Sequence, residues 1–245
     1  EIAKITCMPP HDIIGQNIEE NLPKGKHSSF LIDLMERSCE LLKKHEINQV
    51  RVDLGENPAN MIWLWGQGRK PQLPSFKEKF GLTGSVISAV DLIKGLGKIL
   101  GLDVINVLGA TGYYDTNYLG KAEAAVNALK NKEFVFVHVE ATDEAGHNGD
   151  LRAKLSAIEK FDQLIVGTIL NRFKKDPAVR ILVLPDHATP ITKRTHTNEP
   201  VCFTMYGNNI SCGEFSCFSE EEAKKSKIYF DKGYELLNAF INSNL

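Results

Sequence analysis

The sequence predicts an α/β protein, in which a largely parallel sheet flanked by helices follows an irregular first lobe. Three observations lead there. From Gly81 onward, short apolar runs alternate with stretches of helical periodicity, the pattern of stacked βα units. Residues before about Phe80 show no such alternation. The 245 residues, 42% of them hydrophobic, suffice for one large domain or for a domain with a smaller lobe. The expected division is therefore residues 1–80 and residues 81–245, with the boundary between Phe76 and Thr83.

In the first part, Phe30, Leu31, Leu34, Met35, Leu41 and Leu42 recur at helical spacing, while Asp33, Glu36, Arg37, Glu40 and Lys43 fall elsewhere on the wheel. One packed helix is expected from Ser29 to Lys44. Met61 to Trp65 reads as a short buried strand, stopped by Gly66-Gln67-Gly68, and Pro71 and Pro74 lead on in an extended segment. Trp63 and Trp65 alternate, so they share a side and are expected in packing rather than ligand stacking.

In the second part, strands are expected at Ser85 to Ala89, Asp103 to Val107, Phe134 to Val139, Arg180 to Leu184 and Val201 to Tyr206. Helices are expected at Asp91 to Leu100, Lys121 to Lys130, Leu151 to Lys174 and Lys227 to Asn242. Asp150 stands at the N-cap of the longest, and Leu155, Ile158, Phe161, Ile165 and Ile169 form its apolar stripe.

A formal charge of -2 and scattered Lys and Arg give no basic field for nucleic acid. No apolar run is long enough to span a bilayer, and Glu1 to Lys4 lacks the layout of a signal peptide, so a cytoplasmic address is expected. Cys7, Cys39, Cys202, Cys212 and Cys217 are odd in number and contain no CxxC pair; reduced thiols are expected. The chain begins with Glu rather than Met, as a piece of something longer would.

Carboxylates and imidazoles gather at three loop positions: Asp143 and His147 after one strand, Asp186 and His187 after the next, and His196 in a polar loop before the last. Ligands of open α/β sheets collect at the carboxyl ends of strands, so these loops converge on one edge. Asp and His donors without cysteine suit divalent ions such as Mn, Zn or Mg. Taken singly, Asp143 or Asp150 could be a helix cap and His147 a solvated turn residue. Asp186-His187 after an apolar strand is stronger, because buried strand ends rarely carry two ionisable groups without compensation. Together the five point to a binuclear metal site. His138, flanked by Val137 and Val139, reads as a satisfied core histidine or a partner behind a ligand, and Glu140 as a similar supporting group. Gly109-Ala110-Thr111-Gly112 lacks the Lys and spacing of a phosphate loop and reads as a tight turn. Arg51, Arg69, Lys94 and Arg194 are candidates to grip an anionic substrate, or else solvated surface groups.

The order Asp-x-x-x-His, Asp-His, His-Thr-x-x-Pro-Val resembles the metal-binding half of the alkaline phosphatase superfamily. More closely, the chain is similar to the archaeal type of 2,3-bisphosphoglycerate-independent phosphoglycerate mutases. Further matches are Pro9-Pro10-His11-Asp12, Asn57-Pro58-Ala59-Asn60, Trp63-Leu64-Trp65-Gly66-Gln67-Gly68, Leu73-Pro74-Ser75-Phe76, Asp91-Leu92-Ile93-Lys94-Gly95 and Gly109-Ala110-Thr111-Gly112. The resemblance implies an alkaline-phosphatase-like fold, with residues 1–80 part of an inserted substrate-capping lobe and residues 81–245 the C-terminal part of the catalytic domain. It implies two divalent ions, usually manganese, although the same donors accept Zn, Co or Mg. Asp143, His147 and His196 would hold one ion, and Asp186 with His187 the other.

The resemblance further implies interconversion of 2- and 3-phosphoglycerate through a phosphoserine, without 2,3-bisphosphoglycerate, in glycolysis and gluconeogenesis. Arg51, Arg69 and Lys94 would orient the substrate. This sequence departs from the family in one respect: neither the family's early Asp-Gly strand motif nor its nucleophilic serine is matched, and Ser28 and Ser29 do not fit. The intact protein is thus expected to be a metal-dependent isomerase and this chain alone to be inactive. The alternatives are a metal-dependent phosphatase or another phosphomutase with the same ligands, or a non-catalytic metal-binding fragment. A small phosphorylated substrate is the expected partner, with no nucleic acid, no membrane and an oligomeric state left open.

Overall fold

The computed structural model describes residues 2–13, 15–210, 213 and 217–242. Cys212 and the side chains of His11 and Asp12 lie outside the described residues. The chain divides into two compact units, Glu1–Gln72 and Leu73–Leu245.

The first unit contains two α-helices, α1 (Ser28–Lys43) and α2 (Glu46–Asp53), with short 3-10 turns before them. Leu31 and Met35, one turn apart, are the buried residues of α1, whereas Phe30 and Leu41 stay exposed. Helix α2 was not expected from the sequence. Its third residue, Asn48, is buried; its amide donates to the carbonyls of Leu42 and Ala59 at 2.8 and 2.6 Å and accepts from the Ala59 N–H at 2.9 Å. One side chain thereby satisfies both backbone groups of Ala59, in a segment that lies outside any strand among the described residues.

The strand expected at Met61 to Trp65 does not form. Side chains take the place of a ladder there: Ile62 donates its N–H to Ser38 Oγ at 3.0 Å, and the Trp63 indole donates to the Met8 carbonyl at 2.8 Å. Trp63 is half-buried and Trp65 exposed.

The second unit opens with α3 (Phe76–Phe80), started by a capping box in which Ser75 and Glu78 exchange hydrogen bonds. Phe76 and Phe80, placed from the sequence at the end of the first part, belong here because Phe76 packs on Val86, Leu102 and Phe134. Next come β1 (Gly84–Ile87), α4 (Asp91–Ile99), β2 (Asp103–Ile105), α5 (Tyr118–Ala128), β3 (Phe134–Val137) and α6 (Ala141–Asn148). The strands form a parallel sheet in the order β2-β1-β3, as the alternation of elements predicts. Side chains alternate across it. Val86, Val104 and Phe134 join a core with Phe76, Ile93, Leu237 and Ile241, while Val137 joins Tyr118, Ala122, Ala141 and Ile165 on the other face.

The long helix expected from Leu151 to Lys174 is not one α-helix. It runs as α7 (Leu151–Lys160), a π-helical segment at Phe161–Val166 and α8 (Gly167–Phe173). Asp150 caps α7 as expected, accepting the Ala153 N–H at 2.9 Å. The π-helical segment widens the turn and so rotates the face of α8 relative to that of α7. Phe161, Ile165 and Ile169 reach the core, but Leu155 and Ile158, assigned to the same stripe, are exposed.

The strand after it, β4 (Arg180–Val183), does not extend the parallel sheet among the described residues. It pairs antiparallel with β5 (Thr204–Gly207). A short helix, α9 (Glu220–Ala223), precedes α10 (Gly233–Asn242), which starts six residues later than expected from Lys227. Arg180 ends α10 by donating to the carbonyls of Phe240 and Ile241, both at 2.7 Å. No helix among the described residues is long and apolar enough to cross a membrane. Cys7, Cys39, Cys202 and Cys217 are free thiols.

Candidate metal centre

Asp143 and His147 stand on helix α6, where the sequence suggested a loop. The helix starts as the Glu140 carbonyl accepts the N–H groups of Asp143 and Glu144, and ends at Gly149 in the left-handed conformation, φ 66°. Ala141, Ala145 and Gly146 form its buried face. At i and i+4, Asp143 and His147 share one side of the helix, and Asp143 Oδ2 lies 3.2 Å from His147 Nε2.

The loop after β4 brings the remaining histidines. Ala188 and Thr197 form an antiparallel bridge, which sets His187 and His196 side by side with ring centroids 3.8 Å apart. His196 Nε2 then lies 3.3 Å from Asp143 Oδ1 and 3.0 Å from His147 Nε2, and His187 Nδ1 lies 4.0 Å from Asp143 Oδ1. Asp143, His187 and His196 together form a group able to hold a metal ion. Asp186 stands at its edge, largely exposed, 3.6 Å from His187 Nε2, and accepts the His187 N–H.

The donor chemistry fits a cation. His147 Nδ1 faces the Arg194 carbonyl at 3.0 Å, and a carbonyl can only accept, so the ring hydrogen is on Nδ1. In the neutral ring, Nε2 then points a lone pair at a carboxylate oxygen and at another imidazole nitrogen. Electron-rich atoms this close need a proton or a cation among them, either an imidazole N–H or a metal ion. Donors about 2.1 Å from a tetrahedral ion stand about 3.4 Å from one another. The 3.0 Å between the two imidazole nitrogens, the 3.2 Å from His147 to Asp143 Oδ2 and the 3.3 Å from His196 to Asp143 Oδ1 are each close to that value, with the two imidazoles meeting different oxygens of the carboxylate. The Arg194 carbonyl behind His147 is the usual device that fixes the tautomer of a ligating imidazole.

Several supporting residues gave no signal as chemistry-bearing groups in the sequence. Thr189, buried, donates its hydroxyl to Asp143 Oδ1 in a short bond and lies 3.3 Å from His187 Nδ1. It orients the central carboxylate and one imidazole at once. Lys154 donates to the Thr189 carbonyl at 2.6 Å, and burial pulls its pKa down. Gly146 makes this packing possible, because a Cβ there would stand 2.4 Å from the Thr189 carbonyl oxygen. Lys121 is only 1% exposed, its Nζ donates to the His138 carbonyl at 3.0 Å, and burial lowers its pKa to about 8. A signal for Lys121 did exist: it occupies the same helix face as Tyr118, Ala122 and Ala125, a packed stripe.

His138 and Glu140 lie behind the cluster. Burial lowers the His138 pKa, and burial, followed by the charges of Asp143 and Asp186, raises that of Glu140. Of the anion-gripping candidates, Arg51 is held within the first unit by Glu56 at 3.5 Å and the Asn57 carbonyl at 2.8 Å, and Arg69 is exposed. Lys94 lies 3.7 Å from Asp91 and close enough to Lys121 to lower its pKa further. Arg194 contributes its carbonyl to His147. The turn that forms near Gly109 to Gly112 spans Val107 to Ala110, closed by Ala110 N–H to the Val107 carbonyl at 3.1 Å, and takes in only the first two residues of the expected one.

These features define a metal-handling α/β protein, and the chain belongs to the Metalloenzyme superfamily, whose sequence profile matches residues 17–227. Its relatives are narrower in kind. The chain is 49% identical over 98% of its length to a 2,3-bisphosphoglycerate-independent phosphoglycerate mutase from Methanosarcina barkeri, covering 61% of that protein. It is 48% identical over 97% of its length to a probable enzyme of the same name from Geobacter sulfurreducens, covering 60%. The chain thus spans about three fifths of the curated relatives it matches. Among solved structures, the PH0037 protein from Pyrococcus horikoshii matches with a TM-score of 0.77 and 33% identity, over 89% of this chain and 57% of that one. A cofactor-independent phosphoglycerate mutase from Thermoplasma acidophilum shares the fold, with a TM-score of 0.55 and 23% identity over 91% of this chain and 55% of the other.

Proposed function

We propose that the chain is the metal-binding part of a cofactor-independent phosphoglycerate mutase that interconverts 2- and 3-phosphoglycerate in the cytoplasm. The observation that carries the reading is the convergence of Asp143, His147, His187 and His196 on one point, with the His147 tautomer fixed by the Arg194 carbonyl. The similarity to named mutases supplies the reaction.

In this reading Asp143, His147 and His196 hold one divalent ion, and Asp186 with His187 a second, manganese being the natural occupant. The bound ions supply Lewis acidity, polarising the phosphoryl oxygens and lowering the pKa of the attacking hydroxyl. Thr189 orients the Asp143 carboxylate, and Arg194 keeps a lone pair of His147 turned inward. Arg51, Arg69 and Lys94 bind the anionic groups of the substrate, and the phosphoryl-accepting serine comes from outside residues 1–245.

The test is incubation of the intact protein with 3-phosphoglycerate and Mn2+. Appearance of 2-phosphoglycerate without added bisphosphoglycerate, lost in His147→Ala, is the expected result. Release of free phosphate instead of isomer exchange would make the protein a phosphatase, and full mutase activity in His147→Ala would overturn the assignment of the site.

A further inference from the structure

Ser88, His138 and Glu140 stand in a line of close polar contacts. Ser88, buried at the end of β1, accepts the Val90 N–H at Oγ at 3.0 Å, and its own hydroxyl faces His138 Nδ1 at 3.2 Å. Burial favours the neutral imidazole. With Nδ1 accepting from Ser88, the ring hydrogen sits on Nε2, 3.3 Å from Glu140 Oε2. Lys121 holds the other side of the same residue through the His138 carbonyl. β1, β3 and α5 therefore all fix His138, and His138 fixes the Glu140 carboxylate.

Glu140 is the residue from which α6 starts, and Asp143, Asp186 and Glu144 act on its side chain as like charges, with His187 as an opposite one. Holding a carboxylate near two others is unfavourable by itself and is offset when a cation enters among them. We propose that His138 is a positioning residue that aims the Glu140 carboxylate at the Asp143 cluster, so that Glu140 tightens divalent-cation binding without being one of the cluster's ligands. The inference rests on the metal-site reading above.

The test is calorimetric titration of the purified protein with Mn2+, with the thermal melt of each metal-free variant recorded alongside. Glu140→Gln keeps the shape and the acceptor but removes the charge, and is expected to weaken Mn2+ binding about 10- to 100-fold with an unchanged metal-free melt. His138→Asn, too short to reach Glu140, is expected to match it, whereas His138→Gln, long enough to donate to Glu140, should retain affinity. The double variant His138→Asn/Glu140→Gln should bind no more weakly than Glu140→Gln alone. Wild-type affinity in Glu140→Gln, or additive losses in the double variant, would overturn the proposal. Should His138→Asn fail to fold, Glu140→Gln decides alone. A wild-type protein that binds no Mn2+ would instead overturn the metal-site reading, so the two failures are distinct.

Discussion

The α-carbon of Gly146 packs directly under the Thr189 carbonyl, and the missing Cβ is what lets helix α6 approach the loop that carries His187 and His196. Adding a methyl group at Gly146 must push the loop from the helix. Gly146→Ala is expected to destabilise the protein by about 1–3 kcal/mol, the usual cost of overpacking. It should also weaken Mn2+ binding at least tenfold, readable by calorimetry beside a denaturant melt. Unchanged affinity would mean that the loop can yield without moving its histidines.

Thr189→Val tests orientation rather than spacing. The change keeps the volume but removes the hydroxyl that both Asp143 and His187 contact. Mn2+ affinity should fall about 10- to 100-fold, as for other groups that orient metal ligands. Thr189→Ser, which keeps the donor, should restore most of it.

Metal binding itself should stabilise the fold, because the donors converge only in the native chain. Mn2+ at a hundred times its dissociation constant adds about 2.7 kcal/mol, which raises the melting temperature of a chain this size by roughly 5–10 °C. A chelator should reverse the shift, and Asp143→Asn should show none of it.

Much of this could be read from the residues in advance. The alternation after Gly81 predicts the parallel βα units, and the three Asp/His positions do meet. Asp143 and His147 were legible as donors but not as neighbours on a helix, because Ala141 to Asn148 lacks an apolar stripe and is buried through its small residues. The stripe from Leu155 to Ile169 looks α-helical in sequence, since a π-helical segment leaves no mark on local composition. Met61 to Trp65 has strand-like residues but meets no strand among the described residues, and pairing is a property of the neighbouring strand as much as of the run. Thr189 was invisible because an ordinary threonine becomes functional only through what the fold puts beside it.

Lys121 gives the protein a pH signature. Its folded pKa of about 8 lies below the ordinary 10.5, so the unfolded chain binds more protons between those values. The cost of burying the ammonium is fully present below pH 8 and fades as pH rises toward 10.5. This one group therefore makes stability rise through that window, by at most about 3 kcal/mol. Urea melts at pH 7.5 and pH 10 should show the rise against the other titrations, and Lys121→Met should reduce it.

The candidate centre is built from two kinds of backbone. Asp143 and His147 ride on a hydrogen-bonded helix that fixes their spacing, while His187 and His196 belong to a loop joined across itself by the Ala188–Thr197 bridge. The helix thus serves as the anvil and the loop as the clasp: the spacing of Asp143 and His147 is set by the helical turn, and that of His187 and His196 by a single bridge across their loop.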